Sequence, residues 1–514
     1  MHSLPFPLLA VAILAPFFAA LAVSALEGKK GRVVAIGSAS LSLFAVLWAG
    51  YLMWTSGATR LTDPWAFPGG TAPLAIDALG LFGIVLYASL AVILFSGTPR
   101  RDAQPEVWRD QLLMLSGAIC AYSADNLVLL LAGWVLTVLP LMLEGVRGDA
   151  SVAPRFPITR VAHALSCVFL GVGIYLMAKS TLASSGSFTY SLHALSGATP
   201  AFDDLWTLAF LLLAVLLRKG VFPFHSWVAS SAESGNLLKT SFFTNSHLGV
   251  FLVARLAIPL LPRASAELLR PLTDLTLLTA LVASLLAVVE RNPRRLVALI
   301  AVSQSSFILT GFGSGTAEGI AGAMVYWVVV GIATTGVFLV LRLLEVRVTA
   351  PLNLNTYYGF AARAPRMACF FVVSALALVG LPGTLGFCAE DLLLHGTMDT
   401  HPVIGLLLPV ATALNAVSFL RLFNRLFLGK QSTKVASIAD VLPRERFALV
   451  AGVLAIVLLG LVPGPLVKAI ARIGAETHAE EAFREFKSAG HEAPEAVVSP
   501  NAKPLRPSRA ELGI

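Results

Sequence analysis

Three groups of ionisable residues stand in sequence that is otherwise apolar, and their surroundings set what chemistry they could do. Arg218 and Lys219 are followed by Pro223, Phe224, His225 and Trp227. Lys239, Asn245 and His247 lie in a segment, 236–255, with Gly249 inside it. Glu390 and Asp391 follow Gly380, Pro382 and Gly383, and His395 is four residues past Asp391, on the same helical face. A charge near the middle of a bilayer costs roughly 2.5–3.5 kcal/mol even on lenient scales, so each such group asks for a reason. Proline and glycine breaks free amides and carbonyls that only protein or water can satisfy, which implies internal polar sites. An imidazole titrates near neutral pH and can relay a proton, and Asp391 with His395 could form a hydrogen bond or hand one on. Each group also has a plainer reading. Arg218, Lys219 and Lys239 could be anchors snorkelling to an interface, His247 a packing histidine, and the carboxylates a loop beyond the bilayer.

The elements that must position these residues are long apolar runs. The chain has 514 residues, 57% hydrophobic and 13% charged, with a mean hydropathy of +0.80. Such composition excludes a large soluble catalytic domain, and the period is too helical for a barrel. Fourteen runs can be counted: 5–26, 32–54, 75–97, 111–124, 126–144, 158–179, 203–219, 237–261, 272–290, 295–313, 318–345, 367–395, 401–428 and 445–470. The expected fold is therefore an all-α polytopic membrane protein of about 14 transmembrane helices. Spans 7/8 and 12 are interrupted and lie about 160 residues apart, which fits two inverted repeats. The expected organisation is N-terminal helices over 1–74, a transmembrane domain over 75–470 and a polar, partly disordered tail over 471–514.

Basic residues cluster in alternate loops, among them Arg100, Arg101, Arg109, Arg291, Arg294, Arg295, Arg342 and Arg347, against Arg60, Lys179, Arg263 and Arg270 on the other side. By the positive-inside rule both termini fall outside, on the periplasmic face of a cell inner membrane. The net charge of +8 is thus accounted for by loops and needs no nucleic acid. Residues 1–26 could be a signal peptide but lack a basic leader. The four cysteines fall singly in apolar stretches, with no spacing for zinc, iron–sulfur or haem, and no nucleotide-binding loop is present. No metal, cofactor or redox centre is expected in this chain.

Four stretches carry a resemblance: 123–134 (Ser123 to Trp134), 219–227 (Lys219 to Trp227), 294–304 (Arg294 to Gln304) and 382–391 (Pro382 to Asp391). The chain resembles the antiporter-like membrane subunits of respiratory complex I, Mrp-type cation/proton antiporters and membrane-bound hydrogenases, over most of residues 75–465. The resemblance implies protons, or another monovalent cation, moving along buried ionisable residues and water, with coupling to other subunits of a membrane complex. It places the span-seven lysine at Arg218 or Lys219 and the span-twelve acid at Glu390. For the span-eight group, His247 lies out of register and Ser241 takes the family position. The span-five glutamate is Val135, with Glu144 nine residues later, and span eleven has Val325, Val329 and Ala333 where the family has histidine and lysine. Similar proteins include DabB-type subunits, which join a large soluble partner to accumulate inorganic carbon. The missing charges leave either a path rerouted through Tyr326, Thr334 and water or a non-pumping scaffold, and the broken helices leave a small-solute transporter as a third reading.

Overall fold

The computed structural model describes residues 2–26, 29–65, 72–147, 157–185, 188–196, 204–348, 351–430 and 438–476. The tail beyond 476 and the loop holding Arg155 lie outside the described residues. Helices α1 (Leu8–Val23), α2 (Lys29–Ser56), α3 (Ala78–Gly97), α4 (Pro105–Ser123), α5 (Leu127–Arg147) and α6 (Pro157–Ser185) form the first part of the chain. A short α7 (Leu192–Ser196) leads to α8 (Leu205–Lys219), α9 (Ser226–Ser234), α10 (Leu237–Thr244) and α11 (Leu248–Leu252), a π turn at Val253–Ala257 and α12 (Ile258–Leu260). Then follow α13 (Pro262–Val289), α14 (Pro293–Gly313), α15 (Ala317–Glu345), α16 (Pro365–Ala377), α17 (Leu385–Met398), α18 (Leu407–Phe427), α19 (Pro443–Leu461) and α20 (Gly464–Glu476).

Among the described residues, nine helices are long and apolar enough to cross a membrane, or ten if the pair bent by 88° at α19 and α20 counts as one. The shorter apolar helices α1 and α16 do not reach that length. Helices thus occupy the apolar runs of the sequence, while fewer than fourteen satisfy the criterion for a span on their own. Five runs fall short among the described residues: α1 and α8 are too short, α4 carries Glu106, Arg109 and Asp110, run twelve divides into α16 and α17, and run fourteen bends at Val462 and Pro463. The tight division of runs four and five is real, because Asp125 forms an ion pair with Arg60 at 2.5 Å and Asn126 bridges to Ser191.

One small sheet covers an end of the bundle. Strands β1 (His2–Ser3), β2 (Arg60–Thr62) and β3 (Ala75–Asp77) lie in that order, with β1 and β2 parallel and β2 and β3 antiparallel. Asp63, just past β2, accepts from the amides of Leu9 and Ala10 and so caps the start of α1.

The core is centred on α14 and α15. The apolar window of α14 is wholly buried and that of α15 is 94% buried. Close approaches make this packing possible: a Cβ on Gly322 would meet the backbone of α17, and Gly117 and Gly133 let α4 and α5 touch backbone to backbone.

Candidate functional site

Three helix interruptions bring the polar groups together. The first ends α8, where Gly220 adopts the left-handed conformation (φ +68°) and its amide bonds to the carbonyls of Leu216 and Leu217. The Trp227 indole donates to Leu217 O at 2.9 Å, so the free end of this helix is satisfied inside protein. The glycine therefore stops the helix three residues before Pro223.

The second interruption lies between α10 and α11. His247 sits at φ +47°, a left-handed conformation that costs a residue with a Cβ roughly 1–2 kcal/mol. The carbonyls exposed by the break are met by tyrosines from neighbouring helices: Tyr87 donates to Phe242 O at 3.1 Å and Tyr122 donates to Ser246 O. Asn245, at the same break, donates to Thr335 Oγ1 at 3.0 Å and accepts from Thr334 Oγ1 at 2.9 Å, tying α10 to α15.

At these two breaks Arg218, Lys219 and His247 are all buried. Lys219 Nζ lies 2.7 Å from His247 Nδ1. An ammonium can only donate, so a contact this short needs one nitrogen to act as acceptor, and a single proton lies between the two. Arg218 donates to Thr137 Oγ1 at 2.7 Å and is stacked between Trp134 and Phe243, 4.3 and 4.5 Å from the ring centroids. A cavity beside them is lined by Arg218, Lys219, Thr244, Ser246, His247 and, from α14, Ser305. Among the described residues no carboxylate forms an ion pair with Arg218 or Lys219. Val135 is 38% exposed and turned away from Arg218, which Thr137 touches instead.

The third interruption separates α16 from α17, with Gly380 at φ +66° and Gly383 at φ +89°. Here Glu390 is half-buried, and its Oε1 is 3.2 Å from the Tyr326 hydroxyl and accepts from Thr412 at 3.3 Å. Tyr326 also faces Gln304 Oε1 and Leu378 O, the latter at 3.2 Å. One phenolic proton cannot serve three oxygen acceptors; a proton on Glu390 would supply one further donor to the tyrosine oxygen, as would exchange of the amide atoms of Gln304, whose Nε2 is buried without a partner among the described residues. Asn415 and Ser303, joined at 2.9 Å, extend this polar patch.

The remaining predicted residues fall into two places. Lys239 is buried near the start of α10, 3.2 Å from Asp110 and 3.0 Å from Glu144. Asp391 and His395 do pair, at 3.6 Å, but their side chains are 59% and 70% exposed. They lie on the outer side of α17, away from the Glu390 contacts, because adjacent residues on a helix differ by about 100°.

Several participants were not foreseen from sequence. His163 is fully buried with both ring nitrogens unpartnered, 4.4 Å from the Trp227 ring. A lone histidine in an apolar run gives no signal of this. Asp110 likewise had no pattern to mark it and Gln304 was named only as the end of the stretch 294–304, whereas the run Thr244, Asn245, Ser246 and His247 is polar enough to have signalled the second break.

Buried ionisable groups seated at interrupted helices, in a molecule of this helical make-up, mark a multi-pass membrane protein. Residues 124–415, more than half of the chain, match the family described as NADH:quinone oxidoreductase/Mrp antiporter, TM. The protein belongs to that family. It is 27% identical over 404 residues to the NADH-quinone oxidoreductase subunit M of Rickettsia typhi (strain ATCC VR-144 / Wilmington), a match spanning 76% of this chain and 80% of the relative. Its fold is similar to a chain of respiratory complex I from Thermus thermophilus with bound NADH, at a TM-score of 0.78 and 24% identity, covering 93% of this chain and 99% of that one. It is similar also to a chain of the Mrp complex from Dietzia sp. DQ12-45-1b, with a TM-score of 0.77, 20% identity and the same coverage.

Proposed function

We propose that this chain is a proton-translocating subunit of a larger complex in the bacterial inner membrane, with both termini on the outer face and its proton flux coupled to partner subunits. The observation that carries the reading is that interrupted helices on the two faces of α14 seat ionisable side chains: Lys219 with His247 on one face, Glu390 with Tyr326 on the other. Each seat has one proton position shared between two groups. Displacing a charge at one seat changes the field at the next, which is how a row of buried groups passes protons in sequence. The stretch between the seats is carried by Ser305, Gln304 and Tyr326, since Val325, Val329 and Ala333 are apolar and buried.

The test is proton flux in liposomes that hold the complex purified with this chain, read with an entrapped pH-sensitive dye. Glu390→Gln and Lys219→Ala are each expected to reduce flux at least tenfold while the complex still assembles. Undiminished flux in both variants overturns the reading. Undiminished coupled activity together with poorer assembly would instead establish a scaffold, the reading favoured by the apolar residues of α15.

A further inference from the structure

Among the described residues, the Arg218, Lys219 and His247 nest holds three basic groups with no acid paired to them, and a proton acceptor that feeds it is to be sought elsewhere. Two elements leading out of the nest end at the same spot. Along α5, Thr137 touches Arg218, and Glu144 lies seven residues further, about two turns or 10 Å away. Along α10, Lys239 lies five residues, about 7.5 Å, before Thr244, which lines the cavity with His247. Glu144 and Lys239 meet at 3.0 Å, and Asp110 of α4, itself 3.2 Å from Arg109, closes the group on Lys239.

This group is built into the chain around it. Glu144 Oε1 accepts from the amide of Asn236 at 3.0 Å, and Asn236 caps α10 by accepting from the amide of Lys239. Gly235 leaves room for the carboxylate, since a Cβ there would lie 3.0 Å from Glu144 Oε1. The group also lies against the end of the bundle that carries the basic loops. Arg294 bonds to the carbonyl of Gly235 and pairs with Glu345, which pairs with Arg342. Between Lys239 and the nest, α10 presents Thr240, 3.1 Å from Ser231 of α9, and then Thr244, which lines the cavity with Lys219 and His247. Hydroxyl groups both donate and accept, so this row can hand a proton inward once water completes the gaps.

We propose that Lys239, held between Glu144 and Asp110, is the proton-loading site of this chain, taking protons from the aqueous side next to the basic loops and delivering them along Ser231, Thr240 and Thr244 to Lys219 and His247. A proton reaches Glu144 from water, moves to Lys239 when that amine is neutral, and leaves it along the hydroxyl row; no bond other than N–H and O–H forms or breaks. The carboxylate that is absent at Val135 is thereby replaced by one nine residues, about two and a half turns, further along α5. The inference rests on the proton-translocating reading above.

Lys239→Arg separates a loading site from a structural clamp. Arginine keeps the positive charge and the pairing with carboxylates but does not give up its proton. In the assembled complex in liposomes, Lys239→Arg and Glu144→Gln are expected to cut proton flux at least tenfold at wild-type assembly. Flux within twofold of wild type in an assembled variant overturns the proposal, and so does failure of both variants to assemble, which would make the group a clamp. Glu390→Gln, run beside them, keeps the two readings apart: if it also leaves flux intact, translocation itself fails, whereas if it alone abolishes flux, only the loading site does.

Discussion

Gly380 and Gly383 give a matched pair of substitutions that isolates the position of the Glu390 carboxylate. Both residues have left-handed backbone, φ +66° and +89°, so replacing either by alanine carries a conformational cost of about 1–2 kcal/mol. The two differ in what an added methyl group would touch. At Gly383 nothing lies within 4 Å, whereas at Gly380 the new Cβ would collide with Oε2 of Glu390. The carboxylate is the flexible partner and must swing away, giving up its contacts with Tyr326 at 3.2 Å and Thr412 at 3.3 Å. In the ionised state of Glu390 each of these hydrogen bonds is worth about 1.5–3 kcal/mol. Since about 1.4 kcal/mol is a factor of ten, losing even one of these contacts should lower flux through the site at least tenfold. Both variants are expected to assemble, Gly380→Ala with the lower thermal stability of the two, measured on the purified complex, and Gly380→Ala conducts at least tenfold fewer protons than Gly383→Ala in liposomes. Equal flux from the two would refute the argument that the geometry of Glu390 limits transfer.

Other substitutions probe neighbouring features. Tyr326→Phe removes the hydroxyl that faces Gln304, Leu378 and Glu390, and is expected to preserve assembly and reduce flux at least tenfold; near-normal flux would remove the phenol from the path. Val135→Glu places a carboxylate on a surface that is 38% exposed and turned from Arg218, so it should not raise flux and should cost roughly 2.5–3.5 kcal/mol of stability if lipid covers that surface, checked by yield and melting of the complex. Arg342→Ala strips the guanidinium that donates twice, each at 2.6 Å, to buried Asp102, and should destabilise by about 3–5 kcal/mol, seen as a lower melting temperature. An unchanged melting temperature would show that Asp102 finds another partner.

Much of the helix plan was legible because hydropathy reports what must avoid water, and the breaks near Pro223 and at Gly380 to Gly383 were legible because glycine and proline act locally, although it is Gly220, three residues before Pro223, that ends α8. Glu390 could be singled out for the same reason: it follows such a break in an apolar run. Partners across helices were less accessible. Glu144 looked displaced when measured along α5, yet it meets Lys239, which is 95 residues away in sequence. Asp391 and His395 satisfied the helical spacing for a pair and do approach each other, but the spacing carries no information on which way their shared face points. The break at His247 involves neither glycine nor proline; the polar run Thr244 to His247 marks it locally, but the donors that satisfy it, Tyr87 of α3 and Tyr122 of α4, have no local signature.

Helix α14 divides the two seats and has neighbours on every side. Ala301, Val302 and Ser305 border the Lys219 cavity, while Ser303 bonds to Asn415 and Gln304 to Tyr326. Inserting or deleting one residue before Ala301 would turn the rest of the helix by about 100° and exchange these two surfaces. Descendants of this sequence can therefore drift in the lipid-facing helices by single substitutions, but can change the length of α14 only by also rewriting both sets of groups that read it.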